Sequence, residues 1–236
     1  MSEELLKAII QFFAIVAKER ITDEERSIIK EFLALHLNQD GVRYYLSLFD
    51  DFCKINKPAE PHLSNVDEAT QEFVDDWAQI IQIARKVNQS LTTQQKAVLV
   101  IKIIELVFVG DELSERQSNL IFYIGEALKI PAKDFRAMRA FVLGHDADEL
   151  LSKNILIIDE GTDSQNHQGP HLNAKSLSGM IAILRLTDIE TYFIKYLGIT
   201  PLYLNSLPLK SRRVDVFPTG STIRGSKIEP IYYSDV

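Results

Sequence analysis

Cysteine is almost missing from this chain: Cys53 stands alone among 236 residues. No internal disulfide can form, which points to a reducing compartment. No apolar run approaches the roughly 20 residues of a bilayer span. The opening Met1-Ser-Glu-Glu also lacks the basic segment of a secretory signal. A cationic excess is missing too, since the net charge is −7. The imbalance sits at the front: residues up to Leu150 include 17 basic and 25 acidic side chains, against 9 and 8 beyond. Phosphate neutralisation needs clustered Lys and Arg, so an acidic front half argues against nucleic-acid binding. No Ser-His-Asp order, general base or cofactor fingerprint stands out either. Cys53, between Phe52 and Ile55 on an apolar helix face, reads as core rather than nucleophile. These absences lead us to expect a cytoplasmic protein that is not an enzyme.

Helical periodicity fills the first part of the chain. Leu5, Leu6, Ile9, Ile10, Phe13 and Val16 predict an amphipathic helix over about residues 3–18. A second is expected over 23–37, and a third holds Val42, Tyr45, Leu46, Phe49 and Phe52. Pro58 and Pro61 mark a loop between Asn56 and Asn65. Phe73, Trp77, Ile80, Ile81 and Ala84 make another helix, and a further one begins near Thr92. Pro131 fits the first turn of the last helix, through Phe135, Met138 and Val142. Seven or eight helices are predicted. Beyond Lys153 the texture changes to short β-branched and aromatic runs: Asn154–Glu160, Met180–Leu186, Thr191–Leu197, Pro201–Leu204, Val214–Phe217 and Pro230–Tyr233. Turns at this spacing indicate an antiparallel β domain. The sequence thus reads as α+β in two domains, an all-helical one over 1–148 and a β-rich one over 153–236.

The helical part repeats itself. Ala17 to Glu25 and Val109 to Gln117 each carry a polar turn, then Thr22 or Ser114, then Glu25 or Gln117 three positions on. That spacing is a capping box, in which the hydroxyl accepts from a first-turn N–H and the longer side chain reaches back. Each cap is worth roughly 1 kcal/mol, reason enough for these residues. The other reading makes the acidic residues Glu19, Asp23, Glu25, Asp111, Glu112 and Glu115 carboxylate ligands for a divalent cation such as Ca²⁺ or Mg²⁺.

Two helical repeats of this kind resemble the TerB-like (tellurite resistance) family, a duplicated all-helical domain to whose acidic turn a metal-binding role is attributed. The usual turn reads Ala-Asp-Gly-x-Ile, with Glu four positions after the Ile. Ala17, Ile21 and Glu25 match, while Lys18 and Glu19 replace the Asp-Gly pair. In the second copy Leu113 matches, Gly110-Asp111 runs in reversed order, and Gln117 replaces the Glu. The resemblance covers about residues 3–143. It implies a candidate metal set of Asp111, Glu112, Glu115 and Glu25, with the better case in the second turn.

The β part holds a phosphate-loop look-alike, Gly220-Ser-Thr-Ile-Arg-Gly-Ser-Lys227. Ser and Lys are swapped relative to a P-loop, and strand-like residues follow where a helix is required, so it reads as a β-turn. Leu202-Tyr-Leu-Asn-Ser-Leu-Pro-Leu209, a hydrophobic strand and Gly220-Ser-Thr-Ile-Arg-Gly225 resemble the later half of a forkhead-associated (FHA) β-sandwich. Ser206 stands for the turn glycine, Ser221 for the aspartate, and the phosphothreonine-reading residues of that family are not found. His167 and His171 flank Gln168-Gly169-Pro170 in what reads as a linker. Lys210, Arg212, Arg213, Arg224 and Lys227 form a basic edge, suited to an acidic partner or lipid headgroup, or to discouraging sheet-to-sheet pairing.

A TerB-like region followed by a degenerate FHA-like region resembles the front of bacterial, Bacteroidetes-type ABC-transporter ATP-binding proteins. The resemblance implies a non-enzymatic accessory module whose partners are proteins, among them the rest of a transporter at the cytoplasmic face of the membrane. The ending Tyr232-Tyr-Ser-Asp-Val236 fits a chain cut from something longer. The rival expectation is a metal-binding stress protein of the tellurite type, with a divalent cation as its cofactor.

Overall fold

The computed structural model describes residues 2–17, 21–55, 66–109, 114–150, 152–161 and 168–236. Among these run seven α-helices, then nine short β-strands and a closing 3-10 turn. The layout is α+β, helices first and strands after. Two compact units result, Met1–Ala132 and Lys133–Val236. That division falls at the first residue of the last helix, upstream of the 148–153 junction suggested by the change in periodicity.

In the first unit α1 (Glu3–Val16) is buried around nearly its whole circumference, through Leu5, Leu6, Ile9, Ile10, Phe12, Phe13, Ile15 and Val16. A helix apolar on all sides belongs at the centre of a bundle. It packs on α3 (Gln39–Ile55), α4 (Val66–Ser90), α5 (Thr93–Phe108) and α6 (Glu115–Ala127). The second copy repeats the pattern. α5 is buried from Lys96 to Val107 except at Val98, and it touches α1, α6 and α2 (Asp23–Ala34). Each fully buried Ile, Leu or Phe contributes about 1.5–3 kcal/mol, so these two helices dominate the unit's cohesion. Arg26 forks onto Asp50 at 2.7 and 2.5 Å, joining α2 to α3. Arg116 reaches Asp76 at 2.8 Å, joining α6 to α4.

The second unit starts with α7 (Ala132–Leu143) and continues as two sheets. Its strands are β1 (Ile155–Asp159), β2 (His171–Asn173), β3 (Met180–Leu186), β4 (Thr191–Leu197), β5 (Leu202–Leu204), β6 (Leu207–Pro208), β7 (Val214–Val216), β8 (Thr222–Gly225) and β9 (Ile231–Tyr232). One sheet has the order β2-β1-β3-β4-β7, the other β6-β5-β8-β9. Alternate residues of both sheets meet in a shared core: Leu156, Ile158, Ile181, Ile183, Ile194 and Tyr196 from the first, Leu202, Leu204, Ile223 and Ile231 from the second. β3 reads Met-Ile-Ala-Ile-Leu-Arg-Leu with only Arg185 exposed, the near-continuous apolar run of a strand covered on both faces.

Four strand-level expectations change. β2 begins at the end of the stretch read as a linker, where no strand was expected, and it pairs with β1 in parallel, so the unit is antiparallel-rich rather than wholly antiparallel. Three residues with one apolar side chain give too short a pattern to see in sequence. His171 opens that strand and does not sit in a linker. β6 is a two-residue return from the Asn205-Ser206 turn, pairing Leu207 with Leu204. The phosphate-loop look-alike is not a turn: Thr222–Gly225 forms β8, hydrogen-bonded between β5 and β9, because Ile223 supplies an inward apolar residue opposite both Leu204 and Ile231.

Candidate functional site

Both repeated turns end in complete capping boxes. Thr22 Oγ1 accepts from Glu25 N at 3.1 Å, while Glu25 Oε2 accepts from Thr22 N at 2.6 Å. Ser114 Oγ accepts from Gln117 N at 3.1 Å, and Gln117 Oε1 accepts from Ser114 N at 3.3 Å. A third box, Thr92 with Gln95, starts α5. Its Thr-x-x-Gln signature stands in the sequence but falls outside the repeated segment that draws attention.

Gln117 Nε2 donates to the carbonyl of Val16, the last residue of α1, at 3.2 Å and out of contact with water. The start of α6 thereby touches the end of α1. This bond also explains why copy two carries glutamine where copy one carries Glu25. A carboxylate can close a capping box but has no proton to give a carbonyl, whereas an amide does both.

Of the candidate metal ligands, Glu25 is 2% exposed and its Oε2 is occupied by the Thr22 cap. Glu115 is exposed at the first position of α6. Asp111 and Glu112 lie outside the described residues, as does Glu19. Among the described residues no group of three or more His, Cys, Asp or Glu side chains is placed to hold a metal ion. Cys53, half-buried on α3, has its thiol pushed up to about 12, chiefly by burial and then by Asp50. At neutral pH it is a thiol, not a nucleophilic thiolate.

Two buried groups in the second unit were not legible beforehand. Lys195, on β4 and 1% exposed, points its ammonium at the end of α7. Nζ donates to the carbonyls of Phe141, Val142 and Gly144 at 3.2, 2.6 and 2.7 Å. Three protons meet three acceptors at the negative end of a helix dipole. Asp134, in the first turn of α7, is 2% exposed and its Oδ2 has no hydrogen-bond partner. Burial, then the charge of Asp188, raises its carboxyl above the ordinary range, with Lys133 opposing. At β1, His171 Nε2 lies 2.9 Å from Asp159 Oδ1.

At one end of the second unit several loops converge. Gly179 (φ +97) and Gly198 permit it: a Cβ on Gly179 would lie 2.3 Å from the Leu197 carbonyl oxygen, and one on Gly198 2.4 Å from that of Ser178. Tyr196 then closes the β4–β5 loop by donating to the Thr200 carbonyl at 2.8 Å. Arg212 N donates to the Tyr196 carbonyl at 2.7 Å, and Leu209 N to that of Leu202 at 2.8 Å, which brings the β6–β7 loop alongside. Arg212 holds φ 65, a left-handed conformation that costs a residue with a Cβ about 1–2 kcal/mol. Gly225 pairs with Leu202 and leads into the turn that carries Lys227. No family model, curated protein or solved structure matches the chain.

Proposed function

We propose that this chain is a non-enzymatic accessory module of a bacterial ABC-transporter ATPase, working through protein contacts at the cytoplasmic face of the membrane. The observation that carries the reading is the order of its parts. A duplicated helical unit with matched capped turns is followed by a two-sheet unit whose β5–Asn205-Ser206–β6 hairpin and β8 succeed one another as the resemblance requires. The polar groups at these places are engaged in holding structure. Glu25 and Gln117 cap helices, Lys195 secures α7, and Asn205 Oδ1 accepts from Thr222 N at 3.0 Å within its own sheet. Exposed Leu35, Tyr44 and Phe122 supply apolar contact points on the helical unit.

The decisive experiment reads the coding frame past Val236. A downstream Gly-x-x-x-x-Gly-Lys-Ser segment is expected, and a stop codon would overturn the transporter reading. Purified 1–236 should not hydrolyse ATP on its own.

One observation favours the metal-binding alternative: the Gln117–Val16 bond joins the start of α6 to the end of α1, the two helix ends that the acidic segments of the sequence adjoin. Calorimetric titration with Ca²⁺, Mg²⁺, Mn²⁺ and Zn²⁺ separates the readings. Tight binding abolished by Asp111→Asn and Glu115→Gln would establish the alternative, whereas heats no larger than dilution would remove it.

A further inference from the structure

We propose that the loop end of the second unit formed by Gly198–Pro201, Lys210–Arg213 and Arg224–Lys227 is a binding surface for anionic lipid headgroups, with Ile199 entering the acyl boundary. This goes beyond the module reading and involves none of the acidic turns. The three segments are brought together by the Arg212–Tyr196 and Leu209–Leu202 backbone bonds and by the pairing of Leu202 with Gly225. They contribute Lys210, Arg212, Arg213, Arg224 and Lys227, and no acidic residue. On β5 and β8, Tyr203 lies directly opposite Arg224, and both project outward, away from the core formed by Leu202, Leu204 and Ile223. The nearest acids along the chain are Asp215, on β7 two positions after Arg213, and Glu229, which lines a separate cleft with Lys175 and Asn173.

Ile199 decides between a lipid surface and an acidic protein segment. It is 93% exposed, the most exposed large apolar side chain described. It stands on a loop that Tyr196 holds from beneath, so it is presented on a rigid base. A lone isoleucine raised among cations gains nothing from a carboxylate-rich peptide. It gains by entering hydrocarbon while Arg and Lys remain at the phosphate level and Tyr203 at the interface. Arg212 fits the same account. Its backbone conformation is one that glycine adopts without strain, yet the position carries a guanidinium.

The test is sedimentation of the full chain with vesicles of phosphatidylcholine alone or mixed with phosphatidylglycerol. Binding is expected only to the mixed vesicles, weakening as salt rises. Arg212→Glu with Lys227→Glu should lower it at least about tenfold, by losing two attractive charges and adding two repulsive ones. Lys30→Glu with Arg43→Glu, an equal change of charge beside the α2–α3 groove, should leave it intact. Ile199→Ser should weaken binding several-fold while preserving the salt dependence. Arg212→Gly relieves the backbone and keeps the fold, and it too should weaken binding. Equal sedimentation with neutral vesicles, none with anionic ones at low salt, or equal loss in the two charge-reversed pairs would overturn the proposal. So would association with a poly-glutamate peptide without any with vesicles.

Discussion

At the scale of single residues, Asp134 and Gln117 show how one side-chain atom sets a local energy. Asp134 presents a buried, unpartnered carboxylate oxygen close enough to Asp188 to feel its charge. Its folded-state pKa is raised, so the folded protein binds the proton more tightly than the unfolded chain does. Stability therefore falls as pH climbs from the ordinary aspartate range through the raised value. Asp134→Asn should remove that fall and raise stability at neutral pH by about 1 kcal/mol, read from urea midpoints measured across pH. Gln117 works in the opposite sense. Gln117→Glu keeps a cap but turns a donor into a carboxylate facing the Val16 carbonyl, and about 2 kcal/mol should be lost. Glu25→Gln, which preserves an accepting oxygen for Thr22 N, should be nearly neutral. A difference between the two variants in thermal melts checks the asymmetry.

At the scale of elements, α7 depends on a lysine more than fifty positions away. Lys195→Met would leave three helix-terminal carbonyls facing an apolar side chain, for a loss of about 3 kcal/mol. Chemical denaturation of the full chain should show it as destabilisation of the transition that β-sheet signal follows. Such a pairing explains what the sequence could and could not say. Helix α1 was legible because 3.6-residue periodicity is a local signal, and β3 and β4 were legible within a residue because long apolar runs end at turns. The strand β2 was not, since its order depends on a parallel partner found only after folding. Lys195 was not, because in Thr-Tyr-Phe-Ile-Lys-Tyr-Leu it looks like any solvent-facing strand lysine. The turn residues Thr22, Glu25, Ser114 and Gln117 were read as caps from spacing alone. The bond from Gln117 to Val16 spans 101 positions and has no local trace.

At the scale of the whole molecule, helices and sheets are not divided where the periodicity changes. α7 is helical by its own sequence but belongs, from Lys133 onward, to the unit that contains the strands. A fragment beginning at Lys129 should give a cooperative melt and dispersed amide resonances. One beginning at Lys153, at the start of the strands, lacks the carbonyls that Lys195 requires and should not. The same arrangement has a consequence for chemical reactivity. An amine whose three protons are all given to carbonyls, at 1% exposure, cannot attack an acylating reagent until the unit opens. Exposed lysines such as Lys175 and Lys227 would be modified at once, and Lys195 only at the rate of that opening. Mass-resolved acylation of this one position would therefore serve as a built-in clock for how often the second unit comes apart.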